Sequence, residues 1–200
     1  MTDCMPSCAK GEVVWLVTAN LHKYREVREI LKDHNLAVGM LKSVDAVEIQ
    51  DDDIKRIAAA SALDAVKKSR LSTVVEDAGL FIDTLNGFPG PYSSFVFRTI
   101  GNEGILKLMR MVTDRSARFR SVVAFSSPET RKPVCFSGEV EGEILSQKLG
   151  VKGFGFDPIF KPRRSSKTFA QMTIQEKNKR SHRAAAFRQF AQWYTTSPQP

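Results

Sequence analysis

VVEDAGLFIDTLNGFPGPYS, Val74 to Ser93, opens on β-branched residues that, with Thr73, read as a short buried strand entering a hydrophobic core. Two carboxylates follow at once, Glu76 and Asp77, and then small Ala78 and Gly79. In open α/β proteins ligands sit in the crevice beyond the carboxyl ends of the strands, so an acid pair at a strand end is well placed for a site. Successive residues of an extended strand point to opposite faces. Both carboxylates therefore face one ligand only if the chain turns near Gly79. A solvated acid pair between strand and loop is the plain alternative. The second half of the stretch favours a built site: Gly87-Phe88-Pro89-Gly90-Pro91-Tyr92 fixes φ at two prolines and frees it at two glycines, which specifies one rigid loop.

Upstream, the continuous apolar run Val13 to Val17 ends in Thr18-Ala19-Asn20 and reads as a buried first strand. Leu21, Tyr24, Val27 or Arg28, and Leu31 then recur at helical spacing, so a helix runs to about Lys32. Strand, small polar turn and helix can present backbone N–H groups and a helix N-terminus to a phosphate, or can be a plain connection. Lys23 lies in the first turn, where a cation opposes the helix dipole unless an anion sits there too. Residues 36–50 hold a second strand ending near Glu48-Ile49-Gln50. Asp51 to Asp53 start a helix that buries Ile54, Ile57, Ala58, Ala62 and Ala65.

Downstream, Asn102 is positioned to cap a short helix carrying Ile105, Leu108, Met109 and Val112. Ala117 to Ser127 alternates as a strand, and so does Val134 to Ile144, whose Glu139, Glu141 and Glu143 form a solvated outer face. Gly153-Phe154-Gly155-Phe156-Asp157-Pro158-Ile159-Phe160 breaks all periodicity. Its glycines let aromatic rings approach a flat ligand, where stacking on a base contributes roughly 1–3 kcal/mol, although such rings can equally pack in a core. Thr173-Ile174-Gln175-Glu176 is a capping box that opens the last helix, along which Lys177, Ser181, Ala185 and Arg188 recur, with His182 and Arg183 beside Ser181.

A chain of 200 residues with 42% hydrophobic and 26% charged content supports one domain with a substantial core. No apolar run approaches a membrane span, so no membrane association is expected. The segment MTDCMPSCAKGE lacks the basic and apolar regions of a signal peptide, and Cys4, Cys8 and Cys135 do not complete a structural zinc site. A reduced cytoplasmic protein is the expectation. Between Lys161 and Arg188, nine Lys or Arg face one acid, Glu176, which accounts for the whole net charge of +8. Such a local cationic block suits a nucleic acid or a small polyanion such as a triphosphate.

VVEDAGL followed by LNGFPGPYS resembles the central signature of the inosine triphosphate pyrophosphatase family. These Ham1-like enzymes cleave non-standard purine nucleoside triphosphates to monophosphate and pyrophosphate with magnesium. Further segments fall in family order. Thr18-Ala19-Asn20 with Lys23 is similar to T-G-N-x-x-K, GNEGILKLM has its counterpart, Gly153 to Phe160 matches G-F-G-[YFW]-D-P-x-F, and EKNKRSHR matches E-K-x-x-x-S-H-R. The resemblance spans residues 18–183.

That resemblance implies an α/β fold, a long mixed twisted sheet flanked by helices, with two lobes around a central nucleotide-binding cleft. It implies an N-terminal extension at 1–12, a single domain at 13–194, a disordered tail at 195–200, and a homodimer. Glu48, Glu76 and Asp77 would hold Mg2+, with Asp77 also the general base that activates water for attack at the α-phosphorus. Thr18, Ala19, Asn20, Lys23 and Ala78 would line the substrate site. Phe154 would stack on the purine, with Gly155, Phe156 and Asp157 completing the base pocket. Lys177, Ser181, His182 and Arg183 would contact the nucleotide, the last two as donors to a 6-carbonyl that inosine and xanthine have and adenine lacks. Ala19 replaces the family's glycine, and Ser61 stands where a substrate-facing lysine is usual. Hydrolysis of ITP, dITP and XTP is the expected activity, with no specific nucleic acid as partner. A catalytically silent nucleotide sensor and a basic nucleic-acid-binding protein are the competing readings.

Overall fold

The computed structural model describes residues 13–130 and 132–196. The expected extension at 1–12, with Cys4 and Cys8, lies outside the described residues, as do residues 197–200 of the expected tail. Thr195 and Thr196 are not tail but the last turn of a helix.

Val13–Val17 forms β1, Leu21–Lys32 α1, Ala37–Leu41 β2, Ile54–Ser69 α2 and Thr73–Ile82 β3. Pro89–Gly90 forms β4, Ser93–Thr99 α3, Gly101–Leu108 α4, Ser116–Ser126 β5 and Val134–Ile144 β6. Phe160–Pro162 is β7, Ile174–Asn178 α5 and His182–Thr196 α6. The strands make one mixed seven-stranded sheet in the order β2-β1-β3-β5-β6-β7, with β4 attached to β3. β1 runs parallel to β2 and β3, and the other pairings are antiparallel. No helix among the described residues is long and apolar enough to cross a membrane.

One edge of β3 pairs with β5 along its whole length, from Thr73–Ser126 to Ile82–Ala117. The other edge is interrupted. β1 reaches only Thr73 and Val74, β4 reaches only Leu80 and Phe81, and residues 75–79 have no strand beside them there. The expected short strand is therefore a ten-residue one, and it does not turn at Gly79. Glycine is needed there for a different reason: a Cβ would lie 2.2 Å from the Gly90 carbonyl oxygen, so its absence lets β4 close in. The Gly87–Tyr92 loop is the device that folds β4 back, with Gly87 at φ +87° donating to the Ile82 carbonyl (2.9 Å).

Three other expectations are corrected. The second strand stops at Leu41, opposite the last residue of β1, because nothing continues beside it; residues 42–53 are loop. Ile100 rather than Asn102 caps α4, and Asn102 lies within the helix. The last helix is two, because the Ser181 hydroxyl accepts the Ala184 N–H (3.2 Å) and begins α6 afresh.

Alternation along β3 and β5 divides the core. Val74, Val123 and Phe125 face α1 and α6 in one cluster with Ile30, Phe187 and Phe190. Leu80, Ile82 and Phe119 lie on the same face further along and pack with Ile105, Ile159 and Phe169. Val75, Val122 and Ala124 face α2 on the opposite side with Ala58 and Ala62. Between the two clusters of the first face the long strands carry polar or small residues, Glu76 and Ala78 in β3 and Ser121 in β5, with Asp77 and Arg120 beside them on the opposite face. The sheet thus has two packed lobes joined at a polar waist.

α6 sits close against β6, where a Cβ on Gly138 would lie 2.2 Å from the His182 carbonyl oxygen and 2.5 Å from the Ala186 nitrogen. Overpacking of this kind costs about 1–3 kcal/mol. We expect Gly138→Ala to lower the thermal unfolding midpoint by roughly 2–4 °C per kcal/mol lost. An unchanged midpoint in a calorimetric scan would contradict the tight seat assigned to α6.

Candidate active site

The waist lies beside the end of β1, where Thr18-Ala19-Asn20 turns into α1. Asn20 is the helix cap: its Oδ1 accepts the N–H groups of His22 and Lys23 (2.9 and 3.1 Å), while the Thr18 hydroxyl accepts the Asn20 N–H (3.1 Å). Those two first-turn donors, candidates for a phosphate, are thus satisfied by the side chain. Lys23 reaches across the gap in the sheet. Its Nζ donates to the Glu76 carbonyl (3.2 Å) and pairs with the Glu76 carboxylate (2.9 Å), keeping partial solvent exposure.

Glu76 and Asp77 serve opposite faces, as a continuous strand demands. Glu76 is buried on the α1–α6 side, where its carboxylate accepts from Ser121 Oγ (2.7 Å) and pairs with Arg183 (3.2 Å) as well as Lys23. Burial alone would raise its pKa, but Arg183 and Lys23 outweigh that and hold it well below the usual carboxylate range. Asp77 has the reverse character. Its Oδ1 accepts the N–H of Ala78 (3.0 Å), and its Oδ2 is buried with no hydrogen-bond partner. Burial, reinforced by Glu76 and Glu48 and opposed by Lys23, pushes the Asp77 carboxyl up to about 6. Glu48 is exposed in the 42–53 loop, near enough to Asp77 to act on it electrostatically.

The C-terminal motif residues meet the same face as Glu76. Arg183 Nη1 donates to Glu26 (2.6 Å), and Lys177 Nζ lies between Glu26 (2.7 Å) and Asp157 (2.6 Å). Both cations are nearly inaccessible and ion-paired within the protein. Burial opposes the charge of Glu26, but Arg183 and Lys177 hold its pKa low; burial raises that of Asp157 despite Lys177. His182 is kept neutral by burial and by the neighbouring Arg183, with its ring stacked on Phe119 (4.7 Å, 10°). Ser181 is the buried start of α6. Arg183 Nε and His182 Nδ1 are buried without hydrogen-bond partners.

Phe154 is the half-buried ring of its loop. His22 stacks on it (5.4 Å, 22°), and Lys177 Nζ and Arg183 Cζ approach its centroid to 5.0 and 5.5 Å. Asp157 fixes it by accepting the Phe154 N–H (2.9 Å). Phe156 instead belongs to the core, edge-on to Phe97, and the Gly155 carbonyl accepts from Asn102 (3.1 Å). A hollow of about 360 Å³ beside this loop is lined by His22, Glu26, Gly153, Phe169, Thr173 and Lys177. A larger one of about 570 Å³, on β5 and β6 near Arg118, Glu141 and Lys161, holds ion pairs and none of the motif residues.

Two residues of this site were not anticipated. Glu26 bridges Lys177 and Arg183, and its signal was present: with Lys23, Val27 and Ile30 it falls on the buried stripe of α1, where a carboxylate requires a partner. Ser121 gave no signal, since its partner is 45 residues away across the sheet.

The basic block is not a continuous cationic stripe. Lys161, Arg163 and Lys167 pair with Glu143, Glu141 and Glu176, while Lys177 and Arg183 are buried. For a divalent cation the donor set divides. Glu76 has its oxygens committed to Ser121, Arg183 and Lys23, and no cluster of three or more His, Cys, Asp or Glu side chains that could hold a metal ion occurs among the described residues. Asp77 offers an unpartnered oxygen with Glu48 nearby. Two carboxylates completed by substrate phosphates suit Mg2+, which seldom uses an all-protein cage.

Residues 14–193 match the model of the Ham1 family. A dITP/XTP pyrophosphatase of Methanopyrus kandleri is 46% identical over 181 residues, 90% of this chain and 95% of the relative. One from Pyrococcus horikoshii is 44% identical over 180 residues, 90% of this chain and 95% of the relative. Among solved structures, a HAM1 protein from Coxiella burnetii superposes with TM-score 0.81 at 30% identity, covering 92% of this chain and 99% of that one. The Ham1 protein of Staphylococcus aureus gives 0.78 at 28%, covering 92% and 98%. With motifs, sheet and near full-length similarity in agreement, the chain belongs to the Ham1 family.

Proposed function

We propose that this protein hydrolyses dITP, XTP and ITP to the nucleoside monophosphate and pyrophosphate, cleansing the nucleotide pool. The observation that carries the reading is Asp77, a half-buried side chain whose Oδ2 is buried and unpartnered, with Lys23 and Glu48 close enough to act on it at the waist of the sheet. The names of the relatives support the substrate class.

In this reading the triphosphate lies across the gap in β3, with Lys23 offsetting its charge and Thr18, Ala19 and Asn20 bordering it. Glu48 and Asp77 would hold Mg2+ together with the phosphates, and the ion would supply the positive charge that polarises the α-phosphorus. Asp77 accepts a proton from a water whose oxygen bonds to that phosphorus as the bond to the bridging oxygen breaks, so pyrophosphate leaves with no covalent intermediate. Phe154 carries the purine. As donors to the base, Arg183 and His182 would suit a 6-carbonyl and be left unpaired by the amino group of adenine; both are buried, so the base must displace part of their cover to reach them. Glu76, Lys177 and Asp157 act beneath the site by fixing Lys23, Arg183 and Phe154. The functional unit is residues 13–196, through the end of α6, of a cytoplasmic homodimer. Tyr92 and Phe95, exposed at the start of α3, provide apolar surface for a second copy. Sedimentation at twice 22.4 kDa is the expected result.

Incubation with dITP or XTP and Mg2+ should yield monophosphate and pyrophosphate on ion-exchange analysis, with little turnover of ATP. Diphosphate and free phosphate would mean attack at the γ-phosphorus and overturn the placement of Asp77. Asp77→Asn should lower turnover by about 10²–10⁴-fold while nucleotide still binds; near-normal rates would remove the base role.

The same substitution has a stability signature. The carboxyl of Asp77 rises from 3.8 unfolded to about 6 folded, so the folded protein holds the proton more tightly and stability falls as pH rises through that window. In metal-free protein at pH 7–8, Asp77→Asn should be more stable than the parent by on the order of 1–3 kcal/mol, with the gain vanishing below about pH 4. Added Mg2+ should raise the melting midpoint of the parent and not of the variant. A variant less stable than the parent at pH 8 would contradict the assigned environment.

A further inference from the structure

Where the family resemblance anticipates a phosphate-facing lysine, Ser61 is buried and turned to the loop that carries Glu48. Its hydroxyl donates to the Val47 carbonyl (2.7 Å). On the next turn of α2, Asp64 accepts the Val47 N–H (2.9 Å), so both backbone polar groups of one residue are gripped from one helix. Lys68 completes the arrangement by pairing with Asp64 (2.7 Å) and donating to the Asp45 carbonyl. Positions 61, 64 and 68 fall on one stripe of a helix, which is why three side chains can meet one short segment of loop.

Burial holds part of the loop, since Val44 and Ala46 pack against the cluster that contains Ala58, Ala62 and Ala65 of α2, but it does not hold Val47. The Val47 side chain is half exposed, and residues 42–53 contain no regular structure. Hydrogen bonds to the Val47 backbone therefore fix where the next residue, Glu48, leaves the loop. We infer that Ser61, Asp64 and Lys68 form a clamp that positions Glu48 for the divalent cation, making them positioning residues rather than ligands. The inference rests on the proposed role of Glu48 and Asp77 as metal ligands. It also gives the departure at Ser61 a meaning: a direct phosphate contact is replaced by control of a carboxylate.

Residues that orient a metal ligand typically change affinity by about 10–100-fold when removed, and a backbone-mediated clamp should sit at or below the lower end. Mn2+ titrated into the full chain and followed by electron paramagnetic resonance should bind roughly 5–10-fold more weakly to Ser61→Ala and Asp64→Ala. Asp64→Asn keeps an acceptor for the Val47 N–H and loses only a partly exposed ion pair, so its Mn2+ affinity should stay within about twofold of the parent. Amide hydrogen exchange at Val47 should accelerate in both alanine variants. The Mg2+ needed for half-maximal dITP cleavage should rise more than the rate at saturating Mg2+ falls.

Unchanged Mn2+ affinity in both alanine variants, with the parent binding Mn2+, would overturn the clamp alone. Unchanged exchange at Val47 would do the same. A parent protein that neither binds Mn2+ nor cleaves dITP would overturn the proposed function, and the inference with it. Asp64→Asn as impaired as Asp64→Ala would show that charge, not the grip on Val47, matters, and would also overturn the clamp.

Discussion

The interrupted edge of β3 is the constraint on which the rest of the structure depends. A strand left without a neighbour must satisfy its backbone groups by other means. Here Lys23 serves the Glu76 carbonyl, the Asp77 side chain serves the N–H of Ala78, and Ser93 serves the N–H of Leu80. Unbroken pairing with β5 on the other edge keeps the segment extended, so an opening exists in an ordered sheet rather than in a loop. Polar chemistry can then be held on rigid backbone at the place where two hydrophobic lobes meet.

Strand alternation gives the two adjacent acids different roles. Glu76 is held charged by Lys23 and Arg183 and spends its oxygens on structure, whereas Asp77, on the other face, keeps one oxygen free. Two neighbouring carboxylates thus differ in pKa in opposite directions without any break in the backbone.

Local signals were legible where physics is local. The apolar run of β1, the helical spacing of α1, the alternation of β5 and β6 and the capping box before α5 are all where their periodicity places them. The end of β2 was not legible, because it is set by the length of β1 rather than by any residue near Gln50. Nor was the restart of the last helix, where the Ser181 hydroxyl competes with continuation. Motif spacing brought Phe154, Lys177 and Arg183 to one neighbourhood, but not the fact that both cations are enclosed in ion pairs. Enclosure depends on Glu26 and Glu76, which lie far away in sequence.

The buried pairs have a further consequence for how the chain can vary. Lys23, Lys177 and Arg183 interlock with Glu26, Glu76 and Asp157, three cations with three anions. Removing one partner of such a set strands a charge in a low-dielectric interior, whereas replacing matched partners together need not. Changes at these six positions should be strongly epistatic, with double substitutions tolerated where either single one is not. Drift in this family would then move the set as one unit, and Arg183 on α6 would be tied to a glutamate on the buried stripe of α1, 157 residues away in the chain.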